Sequence, residues 1–345
     1  MENRTFRLGW RAGVISAGSI FVGAALLGGY AWRAHTSPPD AAEALEQVTI
    51  ANVRHPGNCP MVVAQEKGFF AKEGVVVATQ TYSSGKATLD AVSRGGANLA
   101  VTGDIPIVFS VMDGRPISIV ATLTTAENDL GVVGRRDRGV LTPRDLKGKR
   151  VGVSLSSGGQ FVLDSVLLRQ HLLPSDIEAI NLKPEELSGA LAKGDIDAAS
   201  TWQPFLGALI AQLGPDAMVV RSGGVYDVTI LLAGSRDYVA AHPVTIRKLL
   251  KALIGAAQFC RESPDAARAL VADAMKPESI DLLEFWASAR IRIVLDQSLL
   301  IALEDETRWV IKNKLTASGE MPNYLMHIDL DDLLSVAPSA MTIIH

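Results

Sequence analysis

An α/β fold of two similar lobes is what this sequence predicts, and three observations predict it. From Val48 onward, short runs rich in β-branched residues alternate with helical patterns, the signature of mainly parallel sheets. One stretch near the middle repeats the local architecture of an earlier stretch. The 345 residues, 48% of them hydrophobic, are enough for two ordinary domains, each burying a core of its own.

In chain order, the β-rich runs are Val48–Val53, Val75–Thr81, Leu99–Thr102, Ile117–Thr122, Leu130–Val133, Arg150–Val153, Ala198–Thr201, Met218–Val220 and Val228–Ala233. Helical patterns fill the gaps. Pro60 to Lys67 has proline at a first helical position. Lys86 to Arg94 ends at Gly95, and Phe161 to His171 is followed by Pro174. After about Asp237 the pattern becomes helical throughout. Proline carries the punctuation there: His242-Pro243 opens a long amphipathic helix to about Arg261, and Ser263-Pro264 opens the next. Further helices are expected over Ile280–Arg292 and Ser298–Asn313.

The second observation comes from comparing the chain with itself. Residues 91–102, AVSRGGANLAVT, line up with residues 190–201, ALAKGDIDAAST. Each reads as a helix end, a basic residue, a capping glycine (Gly95, Gly194) and a strand ending in threonine. A polar residue and a proline follow: Asp104 and Pro106 in one, Gln203 and Pro204 in the other. A second pair lies upstream, where Ser83-Ser84-Gly85 and Ser156-Ser157-Gly158 each follow a strand and open a helix. The separations differ, so this is shared local architecture and not a tandem repeat. In open α/β sheets, ligands sit beyond the carboxyl ends of the strands. Loops from both lobes would then face one cleft.

The amino-terminal region has a different character. Arg4, Arg7 and Arg11 precede an uncharged stretch, residues 12–32, which Arg33 closes. Such a stretch is long enough to span the roughly 30 Å hydrocarbon layer as a helix. The positive-inside rule places residues 1–11 in the cytoplasm and the body outside. Two readings fit: an uncleaved anchor, or a cleaved signal segment with Gly29-Tyr30-Ala31 as its small-x-small site. Both export the body. No cysteine lies near the end of the segment, which excludes a lipid anchor there. Residues 33–46 form a polar, proline-containing linker.

Charge excludes one class of partner. The chain has 33 Lys and Arg against 37 Asp and Glu, and beyond residue 34 the balance is 29 against 36. A body this acidic, without a basic run, does not neutralise phosphates, so nucleic acid is not expected. Cys59 and Cys260 are too few for a disulfide scaffold and far apart in sequence, and two free thiols are expected. The sequence contains no G-x-S-x-G elbow, P-loop, H-E-x-x-H or C-x-x-C. Its six histidines show no metal-ligand spacing, so neither a metal nor a cofactor is expected.

The two Ser-Ser-Gly turns are the foremost ligand candidates: Ser83, Ser84 and Gly85 in one, Ser156, Ser157 and Gly158 in the other. Serine supplies a hydroxyl, glycine lets the backbone come close, and a helix start offers unpaired N–H groups to an anion. The plainer reading is that the serines only cap their helices. After the first strand, His55 and Asn58 stand in a loop with more polar function than a connector needs, although a loop histidine is commonly just solvated. Trp202 is placed to wall a cleft or to pack beneath the loop. Asp104 either meets a ligand or caps the helix from Pro106, and capping is the favoured role. Tyr226 falls where the chain would cross back between lobes, at the ligand or at the hinge.

Three segments resemble a known family. Residues 65–74, QEKGFFAKEG, residues 145–153, DLKGKRVGV, and residues 190–198, ALAKGDIDA, resemble, in order, motifs of the nitrate/sulfonate/taurine-type substrate-binding proteins of ABC transporters. The similarity covers about residues 47–345. It implies a type II periplasmic-binding-protein fold with an interlobe cleft, lobe 1 over 47–125 and 224–345 and lobe 2 over 126–223. It also implies capture of a small, anionic solute by hinge closure, with delivery to permease and ATPase subunits at the membrane. Two alternatives stay open: a membrane-anchored sensor of the same fold, and a pyrimidine-binding protein or enzyme of the thiamine-precursor type. The enzymes of that type rely on a cysteine-rich motif that this chain lacks.

Overall fold

The computed structural model describes residues 46–224, 226–276 and 282–344. The membrane segment expected at residues 12–32 lies outside the described residues. Among the described residues no helix is long and apolar enough to cross a membrane.

Two mixed sheets organise the chain. The first, in spatial order, is β11 (Arg290–Val294), β4 (Ile117–Ala126), β10 (Val228–Ser235), β3 (Leu99–Gly103), β1 (Glu46–Val53) and β2 (Val75–Tyr82). The second is β7 (Glu178–Asn181), β6 (Arg150–Val153), β8 (Ala198–Trp202), β5 (Leu130–Arg135) and β9 (Ala217–Arg221). In each, three strands are parallel (β1, β2 and β3; β6, β7 and β8), joined through helices as the alternating pattern requires. The chain passes between sheets twice, from β4 to β5 and from β9 back to β10.

Central strands are buried along nearly their whole length, as in β4 and β10, and their sequences are mostly apolar, with buried threonines among the aliphatic residues. Helices cover the sheets. Gly95 and Gly194, matched in the internal comparison, both adopt left-handed backbone (φ 71° and 77°) where helices end and strands begin. One core cluster runs from the first sheet through Leu130, Trp202 and Tyr226 into one face of the second. The opposite face of the second sheet carries a small separate core including Leu187, Leu191, Ile196 and Leu206.

Register fixes where the loops emerge. Val53 pairs with Tyr82, and Ile230 near the start of β10 pairs with Gly103 at the end of β3. The carboxyl ends of β1, β2 and β3 therefore share one edge with the start of β10. In the second sheet Val153 pairs with Ser200 and Leu130 with Trp202. The ends of β6 and β8 there share an edge with the start of β5.

Two expectations are corrected, and one strand went unanticipated. The region after Asp237 is not purely helical: in place of a helix over Ile280–Arg292, a helix over Leu282–Ser288 gives way to strand β11. Its Arg-Ile-Arg-Ile alternation buries the isoleucines and exposes the arginines, the period of an edge strand. The short exposed strand β7, with a single half-buried residue, had no apolar run to mark it. Most consequential, Cys59 and Cys260 are not free thiols but a disulfide joining the helix Cys59–Glu66 to the helix Pro243–Glu262. Those two helices pack side by side on the first sheet, which closes a separation of 201 residues.

Candidate ligand-binding cleft

The loop edges of the two sheets face each other across a cleft of about 500 Å³. From the first lobe it is walled by Val53 and His55 at the end of β1, Ser84 to Lys86 after β2, and Gly103, Asp104 and Pro106 at the end of β3. From the second come Asp129 and Leu130 at β5, Ser154 to Gly158 after β6, Asn181 to Pro184 at the end of β7, and Trp202 ending β8. Tyr226, Val228 and Ile230 line the side where the chain returns to the first sheet.

The two Ser-Ser-Gly turns differ in detail. In the first, Ser84 is extended (φ −143°) and its Oγ accepts the Ala87 N–H at 3.3 Å, capping the helix Gly85–Ser93. Gly85 is packed: a Cβ there would lie 2.5 Å from Thr102 Oγ1 and 3.0 Å from the Gly103 nitrogen. In the second, Ser157 holds the N-cap backbone (φ −134°) but its Oγ donates to the Ser154 carbonyl at 2.6 Å. No side chain caps the helix Gly158–Arg169, and its first N–H groups remain available. Ser156 takes left-handed backbone (φ 59°), held by its N–H donating to Gln160 Oε1 at 2.8 Å.

His55 is not a solvated loop residue. It is 4% exposed; its Nε2 meets Asp129 Oδ2 at 2.9 Å, and its Nδ1 accepts the Gly57 N–H at 2.9 Å. Asp104 caps no helix from Pro106; the helix begins at Asp104 itself, Asp104–Met112. Its fully buried carboxylate accepts from Tyr226 Oη, from the Ile105 N–H at 2.8 Å and from the Thr229 N–H at 3.0 Å. Burial pushes Asp104 up, against those three donors. Burial pushes its neighbour Glu306 well above the usual carboxylate range, and the Asp104 charge adds to that. Tyr226, its phenol also raised by burial and then by Asp104, serves this network and packs on Phe161 with ring centroids 5.2 Å apart. Trp202 is buried in the wall, edge-on to Phe205.

Nine of the eleven candidate residues thus line the cleft, and two do not. Ser83 stands one residue short of the wall. Asn58 turns away, its Nδ2 donating to Asn52 Oδ1 at 2.9 Å and to the Val53 carbonyl, and so fastens the end of β1.

Residues 55–267, well over half of the chain, match the family model described as NMT1/THI5 like. The chain belongs to the NMT1/THI5-like family. This NMT1/THI5-like protein is 27% identical over 209 residues to the taurine-binding periplasmic protein of Escherichia coli (strain K12), covering 60% of this chain and 64% of that one. It is 24% identical over 211 residues to the 4-amino-5-hydroxymethyl-2-methylpyrimidine phosphate synthase of Schizosaccharomyces pombe, covering 57% of this chain and 60% of that protein. The match spans less than two thirds of either relative's length. Among solved structures, the alkanesulfonate-binding protein of Xanthomonas axonopodis pv. citri bound to MOPS superposes with a TM-score of 0.72. That likeness covers 82% of this chain and 98% of the other at 19% identity, and it is a likeness of fold. The resemblance seen in the sequence motifs, and the two-lobed binding-protein fold it implied, are borne out.

Sequence reasoning missed Asp129, Ser154, Asn181 and Glu186 in the cleft wall of this NMT1/THI5-like protein. Asn181 ends the overlooked strand β7. Asp129 stands in a Glu-Asn-Asp run that reads as solvated surface, and its one distinguishing signal is its place at the crossing between lobes.

Proposed function

We propose that this protein is the extracytoplasmic solute-capture component of an ABC importer and holds a small sulfonate-class anion between its lobes. The observation that carries the reading is the uncapped start of the helix Gly158–Arg169, opening into the cleft beside two serines. Unspent backbone N–H groups and the positive end of the helix dipole favour an oxyanion there. The lysines of the wall are Lys86 and Lys183, and Lys86 is held by Asp90 at 2.9 Å. Backbone and hydroxyl donors, rather than a buried cation, therefore make the anion site. That suits a charge spread over several oxygens.

The two crossings between sheets, 127–129 and 222–227, act as the hinge about which lobe 1 (47–125 and 224–345) and lobe 2 (126–223) close on the solute. The closed form docks on permease and ATPase partners. The disulfide supports an oxidising compartment outside the cytoplasm. Residues 12–32, as anchor or signal, take the body there. We read the protein as a binder and not an enzyme. A second reading, a pyrimidine-type heterocycle stacked on Trp202, is favoured by the fission-yeast relative alone.

A thermal-shift screen of ligand-free protein tests this, because a ligand at a hundred times its Kd adds about 2.7 kcal/mol. Stabilisation by sulfonates is the expected result. A response to aminopyrimidines with none to any sulfonate would move the assignment to the second reading.

A further inference from the structure

A second cavity, of about 420 Å³, opens on the other face of β10 from the cleft. Val228 and Ile230 line the cleft, and Thr229 between them lines this cavity, as the alternation of a strand requires. Beside Thr229 stand Thr122 and Thr125 of β4 and Arg290 and Arg292 of β11. Ser298, at the start of the helix Gln297–Lys312, and Phe161, from the second lobe, also line it. Two features mark it as more than a packing gap. Thr122 and Thr229 are 4% and 6% exposed, and among the described residues neither hydroxyl has a hydrogen-bond partner or is sealed from the cavity. A desolvated hydroxyl left unpaired is costly, so two in one wall call for a polar group between them. The helix Gln297–Lys312 also begins without a side-chain cap, Ser298 Oγ donating to the Asp296 carboxylate, and its first N–H groups remain available.

Charge selects the class of ligand. In this wall Asp227 pairs with Arg290 at 2.9 Å, Asp305 pairs with Arg308, and Asp296 stands 3.9 Å from Arg292. Glu306 also lines the cavity, its carboxyl pushed well above the usual range by burial. Both signs are therefore present and near balance, and a net charge would be repelled by one set as it was attracted by the other. A zwitterion would have to part the existing pairs. A hydroxyl need not, because paired guanidinium and carboxylate groups keep spare N–H donors and spare lone pairs. It can accept from an arginine or an N–H group and donate to a carboxylate or a threonine. Half-buried Phe161 gives the C–H surface of such a ligand an apolar wall.

We infer that this cavity is a second binding site and that it takes a neutral polyhydroxyl compound of monosaccharide or cyclitol size. Its volume falls in the range of small-molecule sites, roughly 300–1,000 Å³. The cavity shares only Tyr226 with the cleft, so its ligand does not depend on what the cleft holds.

The test is saturation-transfer NMR titration of wild-type, Thr229→Val and Arg292→Ala protein with glucose and with myo-inositol. Each is kept to about 10 mM, well below the concentrations at which polyols act on any protein by exclusion from its surface. Wild type is expected to bind at least one of them, and each variant to bind it about fivefold more weakly or worse. Failure of both to bind wild type overturns the inference, and that arm needs no variant to fold. Undiminished binding in Thr229→Val and Arg292→Ala places the polyol elsewhere and also overturns it. Tighter binding of succinate or glycine, lost in Arg292→Ala, would assign the cavity to a charged ligand and overturn the class. The sulfonate reading stands or falls separately, on the cleft side of β10.

Discussion

The two walls of the cleft come from similar sequence and end in different chemical states. In the first lobe the Ser-Ser-Gly turn is spent on the fold: Ser84 caps its helix, Gly85 is packed against Thr102 and Gly103, and the loop after β1 is pinned through the Cys59–Cys260 disulfide. In the second lobe Ser157 turns its hydroxyl back to the Ser154 carbonyl and leaves the helix start open. One motif thus serves as a rigid base on one side and leaves an open helix start on the other. What separates them is that the Ser84 oxygen finds a donor in its own helix while the Ser157 hydroxyl finds an acceptor in the preceding loop, a feature of packing and not of the motif.

Breaking the base should cost the most stability. Replacing Cys59 and Cys260 together with serine is expected to lower unfolding free energy by about 2–5 kcal/mol, since the bridge closes a very long loop. Denaturant melts of oxidised wild type against the double variant would show it, and equal midpoints would mean the bridge braces nothing.

The glycines sharpen the contrast. Gly85→Ala pushes a methyl onto a hydroxyl and a backbone nitrogen, and a loss of about 2–3 kcal/mol is expected. At Gly158 the close neighbour is Leu130 Cδ2, the movable end of a side chain, so Gly158→Ala should cost under about 1 kcal/mol. Similar losses at both positions would erase the distinction between the walls.

Smaller again is the difference between the serines. Ser84→Ala removes a helix cap and is expected to cost about 1 kcal/mol, against about 0.5 kcal/mol for Ser157→Ala, which loses a hydrogen bond but no cap. Urea midpoints of the two variants side by side decide it.

An effect confined to part of the pH range concerns the contact between lobes. Trp309 Nε1 donates to Asp164 Oδ2 at 3.0 Å, and burial, opposed by that bond, pushes the Asp164 carboxyl up to about 6. Unfolded, the same carboxyl titrates near 3.9. Between these values the folded protein binds more protons than the unfolded chain, so stability is gained as pH falls through the window and lost as it rises. Asp164→Asn should remove that slope and be more stable than wild type by about 1 kcal/mol at pH 7.5, with the two converging near pH 4. Parallel melting curves across that range would contradict it.

Much of this was legible in the sequence because the governing signals are local. Nine strands announced themselves as apolar β-branched runs, and Gly95 and Gly194 marked their helix ends correctly. What stayed hidden depends on distant partners. The disulfide joins residues whose proximity exists only once two helices pack on the first sheet. Asp129 reads as loop polarity until the fold buries it against His55. His55 itself reads as solvated for the same reason. Strand β11 was the exception, since its alternating Arg and Ile residues carried a readable period of two that the surrounding helical pattern masked.

The central claim is that the second-lobe turn receives the anion. The most direct measurement is a calorimetric titration of Gly158→Val protein with the best sulfonate ligand of wild type. Because valine blocks backbone approach at the helix start, affinity is expected to fall about a hundredfold or more while the melting temperature moves by only about 2–4 °C. Wild-type affinity in a folded Gly158→Val protein would contradict the account.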